Sequence, residues 1–259
     1  MSTIISSVTR QGAYEPFELQ VSRGQIQGHR NVTVFGFNPD VDQTQVSVWP
    51  LPSLIAFPAS AIRMTVSSAS ANDTSNGTGA RTIVVEGVDA NYNEVTETVT
   101  MNGQTAVTMT AFLLRVNYAY VATAGSGNGA AGDIYIGTGA VTAGVPATTY
   151  DIIKFDYNVT TTGSFTIPAG HTGYVSQGLF SAGQASGSTQ VQGRLLTRGT
   201  DNIRRTAAVT TLNNGVANYV FEYPLAVPEK TTIEATAVGS ANNNACSSMF
   251  IVALIKEGP

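Results

Sequence analysis

A chain of 259 residues with 42% hydrophobic content is long enough to bury a substantial core and too apolar to be wholly disordered. Charged residues make up 12%, about half the usual share of roughly 25%, so polarity rests on Thr, Ser, Asn and Gln. A net charge of -4 argues against a chain that coats nucleic acid electrostatically, and the apolar run SMFIVALI (248–255) is too short for a membrane-spanning helix.

From the N-terminus, MSTIISSVTRQG (1–12) lacks both a basic n-region and an apolar h-region, which predicts synthesis in the cytoplasm without a secretory leader. Residues 1–30 read as an extended arm around one short strand, FELQV (17–21). Tyr14, Phe17, Leu19 and Val21 are its candidate partner-binding side chains. Such an arm either packs on its own domain or adds a strand to a neighbour's sheet edge. In NPDVDQT (38–44), Asp40 and Asp42 lack the terminal Glu of a calcium loop, so no metal is expected there. Trp49 follows as a further candidate interface anchor.

The strand IRMTVSS (62–68) runs into SASANDTSNGTGA (68–80), a polar stretch whose Asp73 suggests either a calcium cradle or a wide turn. No second carboxylate lies nearby, and the echo IEATAVGSANNNA (233–245) has Asn in place of Asp, so the turn is the better reading. RTIVVEGV (81–88) and EVTETVTM (94–101) are strands, and Asn102-Gly103 after them signals a hairpin. Alternation in VNYAYV (116–121) puts Tyr118 and Tyr120 on one face, as a binding patch or as the rim of a core. Gly127, Gly129 and Gly132 match G-x-G-x-x-G, but the strand DIYIG (133–137) follows where a dinucleotide site needs a helix, so no cofactor is expected.

GTGAVTAGVPATT (137–149), rich in small residues and without charge, is the expected domain boundary. YDIIKFDY (150–157), STQVQGRLLTR (188–198) and NYVFEY (218–223) continue the strand pattern, with Asn213-Asn214-Gly215 as a second hairpin signal. Arg194, Arg198, Arg204 and Arg205 form a basic spot that reads as a solvated strand face. Cys246 is the lone cysteine, in an apolar strand, where a buried thiol is expected. No segment repeats apolar residues with helical periodicity. The expected class is all-β, with an arm (1–30) and two tandem antiparallel β-sandwich, jelly-roll-like domains (31–145 and 146–259).

Nothing in the pattern dictates a reaction. His29 and His171 are not spaced as zinc ligands, and no G-x-S-x-G elbow is present. Glu94 and Glu97, like Asp151 and Asp156, fall on opposite faces of a regular strand. No catalytic, cofactor-binding or metal-ligating residue is therefore named.

The stretches ASANDTSNGTGARTIVVEGVDANYNEVTETVTMNGQTAVT (69–108), AGDIYIGTGAVTAGVPAT (131–148) and SFTIPAGHTGYV (164–175) resemble virion proteins of tailed bacteriophages, with PEKTTIEATAVGSANNN (228–244) adding to the likeness. The resemblance implies β-sandwich or jelly-roll domains, a non-enzymatic structural role and residence in a virion assembled in the host cytoplasm. The implied partners are the major capsid protein or other virion subunits and further copies of the chain, a trimer before other symmetries. The leading expectation is a capsid decoration or cement protein. The alternative is a head-fibre or tail protein that recognises host surface glycans.

Overall fold

A computed structural model describes residues 15–183 and 189–257. One short helix, α1 (Phe17–Ser22), precedes β1 (His29–Val41) and β2 (Val46–Ser47). The chain then forms β3 (Ile62–Ser68), β4 (Ala80–Val88), β5 (Glu94–Thr100), β6 (Val107–Leu113), β7 (Arg115–Ala124), β8 (Ile134–Thr142) and β9 (Val145–Ile153). It closes with β10 (Ser164–Thr166), β11 (His171–Gly183), β12 (Val191–Arg198), β13 (Arg204–Leu212), β14 (Gly215–Val227), β15 (Thr232–Gly239) and β16 (Asn244–Lys256). The class is all-β, and every described strand pair is antiparallel.

Four sheets gather around two cores. One pair of sheets, ordered β1-β16-β11-β14 and β10-β15-β12-β13, encloses Val34, Phe165, Phe180, Leu195, Ile233 and Phe250. The other pair, β6-β3-β8-β9 and β5-β4-β7, encloses Met64, Ile83, Val85, Met109, Leu113 and Ile136. The reason is legible along β16, where Cys246, Phe250, Val252 and Leu254 point inward and their neighbours outward, so one face is buried by a period of two. Burying one such Phe or Leu contributes about 1.5–3 kcal/mol.

The tandem arrangement is not what forms. β1 pairs with β16, the last strand, so residues 29–47 belong with the C-terminal sheets rather than with residues 48–145. Of the nine strands in those sheets eight are nested, with β1 on β16, β10 on β15, β11 on β14 and β12 on β13, and the two-residue β2 is the ninth. Strands β3 to β9 form a unit inserted between β2 and β10, which lie end to end on one edge of β15. At the junction Val48 donates to the carbonyl of Ala235 (2.9 Å), and Ala235 donates to the carbonyl of Gly163 (2.7 Å). One strand position is thus shared between two distant residues. Gly36 makes room for the crossing, since a Cβ there would sit 2.4 Å from the Val48 carbonyl oxygen and 2.7 Å from Gly163 Cα.

The structure also corrects the local readings. FELQV is helical: Pro16, at φ -54°, starts α1, Glu18 occupies its first turn, and Val21 turns inward while Phe17 and Leu19 face solvent. The predicted boundary at 137–149 is a two-residue hairpin joining β8 to β9, with Ala143 (φ 49°) and Gly144 (φ 85°) at its tip. Asn102-Gly103 and Asn213-Asn214-Gly215 are turns but not hairpins. The strands each one joins lie in different sheets. Positive φ at Gly103 (60°) and Asn214 (53°) is what their chemistry encodes, and a crossover between sheets needs it as much as a hairpin does.

Candidate interaction surface

The sequence-named partner residues scatter. Tyr14 lies outside the described residues. Phe17 and Leu19 are exposed on α1, whereas Val21 is buried. Trp49 is buried too, packed with Ile55 and Ile152 at the root of the insert, and its indole N–H donates to the Ser53 carbonyl at 2.8 Å. It anchors the insert rather than a partner. Tyr118 and Tyr120 do meet, with ring centroids 5.7 Å apart, as alternation along β7 requires. Burial, with added repulsion from Glu86 and Tyr120, raises the Tyr118 pKa, so its phenol stays protonated as a hydrogen-bond donor.

The polar groups weighed for chemistry hold the fold. Asp73 is fully buried and accepts four hydrogen bonds: from Ser68 Oγ (2.5 Å) and the backbone N–H groups of Ala80 (2.6 Å), Ala131 (2.8 Å) and Gly132 (3.1 Å). The stretch 68–80 is therefore clasped to the glycine-rich loop 125–132 by one carboxylate, which leaves neither oxygen for a cation. Asp42 Oδ1 accepts from the Asn243 N–H, and Asp40 N–H donates to Asn38 Oδ1. Glu97 is partly buried, which opposes ionisation. The Thr110 and Ala111 N–H groups on β6 outweigh that and hold its carboxyl below the usual range. The same carboxylate covers an otherwise open strand edge. Burial pushes the Cys246 thiol up to about 12, so it stays protonated and poorly nucleophilic. Among the described residues no three His, Cys, Asp or Glu side chains converge on a possible metal position.

One of the four arginines assigned to a solvated face, Arg198, is instead drawn inward, while Arg204 stays exposed beside the same buried carboxylate. Arg198 Nη2 and Arg204 Nε lie 2.7 and 3.3 Å from the carboxylate of Glu234, which has no exposure. The guanidinium groups of Arg198 and Arg115 both lie over the Phe57 ring, 4.1 and 4.5 Å from its centroid. Arg115 belongs to the insert and Arg198 to the nested sheets, so this cluster ties the two units together.

Among the described residues, two open surfaces are the candidates for a partner. One is a rim on β13 and β14, the terminal strands of their sheets, where Val209, Val216, Val220 and Tyr223 are 52–84% exposed. On β14 the inward residues are Ala217, Tyr219, Phe221 and Leu225, so Val216 and Val220 occupy a face that solubility alone would make polar. Sequence reading noted NYVFEY as a strand but missed this. The signal was apolar residues on both faces of one strand, Val216 and Val220 outward against Tyr219 and Phe221 inward. The other surface is a cleft of about 520 Å³ between β1 and the insert, lined in part by Thr33, Phe35, Glu86, Glu94, Tyr118 and Thr160.

No family model and no curated protein matches the chain. Among solved structures it is similar to infectious bursal disease virus VP2 in a subviral particle, at 13% identity over 89% of this chain and 71% of that one, with a TM-score of 0.24. It is also similar to the PBSX exported protein XepA, at 12% identity over 85% and 84% with a TM-score of 0.20. The T13 particle of the bursal virus matches at 12% identity over 89% and 72%, with a TM-score of 0.21. At such TM-scores a superposition does not define a common fold.

Proposed function

We propose that this chain is a non-enzymatic structural protein of a tailed-phage virion, seated on the outer head surface as a decoration or cement subunit. The nested order of its eight C-terminal-unit strands is that of a jelly roll, an architecture used by viral capsid and lectin domains. The phage-like stretches at 69–108, 131–148 and 164–175 support the same reading. The observation that carries it is the β13–β14 rim. Two terminal strands, each with one open side and with exposed Val209, Val216 and Val220, are an aggregation hazard in a free monomer and a ready interface in an assembly. The partners in this reading are further copies of the chain, as a trimer, and the major capsid protein.

The double variant V216D/V220D tests this. Solution mass and occupancy on purified particles should both fall, while the melting transition stays within a few degrees of the parent protein. Unchanged mass and occupancy refute the rim as the interface. Copy number sets the location: on the order of hundreds per particle fits a head decoration, and on the order of ten fits a tail or neck component.

A second reading, a fibre or tail protein that binds host glycans, is favoured by the paired Tyr118 and Tyr120 rings beside the cleft. Glycan-array binding that is lost in Y118A would support it, and a blank array would retire it.

A further inference from the structure

The face that Val216 and Val220 occupy extends across the whole β1-β16-β11-β14 sheet. β16 shows its character. Phe250, Val252 and Leu254 enter the core, and Met249, Ile251 and Ala253 between them point outward and are partly accessible. A sheet with one wet face alternates apolar with polar residues, whereas a strand covered on both faces reads as a continuous apolar run. The outer side of β16 is thus composed like a covered one. Its neighbours continue the pattern. Phe35, Met249, Leu179 and Asn218 form one cross-strand row, and Ile251 and Val220 lie in the next. Phe35 and Val220 are 40% and 74% exposed. Four successive rows, from Phe37–Val216 to Asn31–Ala226, hold no charged residue, and Glu222 stands in the β14 bulge at the edge of the sheet. Gln177 donates to Asn218 Oδ1 at 3.1 Å, so two polar side chains of the face satisfy each other. α1 and the insert touch the face at corners, where Phe17 is edge-on to His29 at 5.9 Å and Tyr157 is edge-on to Phe37 at 6.2 Å.

We propose that this sheet face packs against the same face of a second copy of the chain, across a two-fold axis. The absence of charge selects that occupant. Identical charged faces repel each other when they meet, and the interfaces between like subunits are the more apolar ones, with charge depleted at their core. A different partner is chosen and steered by complementary charge, which this face does not offer. The size is sufficient. Strands about 4.8 Å apart and rows about 6.8 Å apart give four strands and four rows an area of about 500 Å². Two such faces bury on the order of 1,000 Å², the size at which an interface becomes specific. The contact goes beyond the rim of the proposed function. Val216 and Val220 belong to both, Val209 to the rim alone, and Met249 and Ile251 to the face alone. It stands beside the three-fold contact of the proposed trimer and is a property of the purified chain.

Light scattering and crosslinking on the purified protein test the contact. The parent should run as an even number of chains. I251K places a charge on the face without entering the core, and should weaken pairing at least about hundredfold while the melting transition stays within a few degrees. V209D, on the rim, should leave pairing intact. M249C should give a covalent dimer with a short bis-maleimide, because a two-fold axis through the face brings residue 249 of both copies together. Cys246 points into the core and does not compete. A parent mass of one or three chains overturns the proposal, and so does a mass unchanged in I251K. Pairing that appears only once residues 1–14 are removed also overturns it, because those residues would then be the occupant. Pairing in a chain that binds no particle keeps this contact and refutes the virion reading, and particle occupancy without pairing does the reverse.

Discussion

Gly163 donates its backbone N–H to the carbonyl of Val48 at 3.0 Å, so the two ends of the inserted segment 49–162 meet on one edge of β15. The residue facing Ala235 is in effect divided, with its N–H supplied by Val48 and its C=O by Gly163.

Deleting residues 49–163 and joining Val48 directly to Ser164 should therefore leave a continuous edge strand and a folded eight-strand domain. The expected outcome is a soluble protein with a single cooperative unfolding transition, less stable than the parent because the Arg198–Phe57 contact is gone. The complementary fragment 60–158, which holds the second core, should also unfold cooperatively. Denaturant titration followed by circular dichroism checks both, and a molten product from either would count against the insertion.

Asp73 predicts a stability effect without a metal effect. D73A strands three backbone N–H groups and one hydroxyl, each costing about 1–3 kcal/mol when buried without a partner, so a loss of at least about 3 kcal/mol is expected. Calcium and EDTA should leave the parent's melting temperature unchanged. A rise in stability with calcium would restore the cradle reading.

Asp151 predicts a pH dependence. It is buried, and desolvation pushes its pKa up to about 7, against the opposing donors Thr162 Oγ1 and the Ile152 N–H. The folded value lies above the unfolded value near 3.8, so this contribution is fully present below pH 3.8, is lost as pH rises, and is gone once pH passes about 7. D151N removes the charge penalty while keeping an acceptor for Thr162. It should match the parent at pH 4 and exceed it at pH 8 by on the order of a few kcal/mol in urea unfolding. Parallel curves for the two proteins from pH 4 to 8 would contradict this.

The Arg115–Phe57–Arg198 cluster predicts that the two units unfold together only while it is intact. F57A removes two partly desolvated cation–π contacts worth about 1–2 kcal/mol each. Calorimetry should show the transition broadening or splitting into two, with the earlier one belonging to the less stable unit. A single sharp transition at the parent's temperature would mean that other contacts couple the units.

The sequence alone determined the all-β class, the places where the chain turns, and the burial of Cys246. These depend on local rules: a period of two, positive φ at Asn and Gly, and apolar flanks. The paired faces of Tyr118 and Tyr120 followed from the same alternation. It misread FELQV because apolar residues at 17, 19 and 21 suit a strand, while Pro16 and the packing of Val21 set a helix. Only the tertiary structure decided which strand pairs with which, because β1 closes on β16 across the whole chain and no local signal marks a partner that distant. It likewise decided that Asp73 is a clasp, since two of its four donors come from residues 131 and 132. Local propensity sets where strands begin and end, and contacts made across the fold set what their side chains are for.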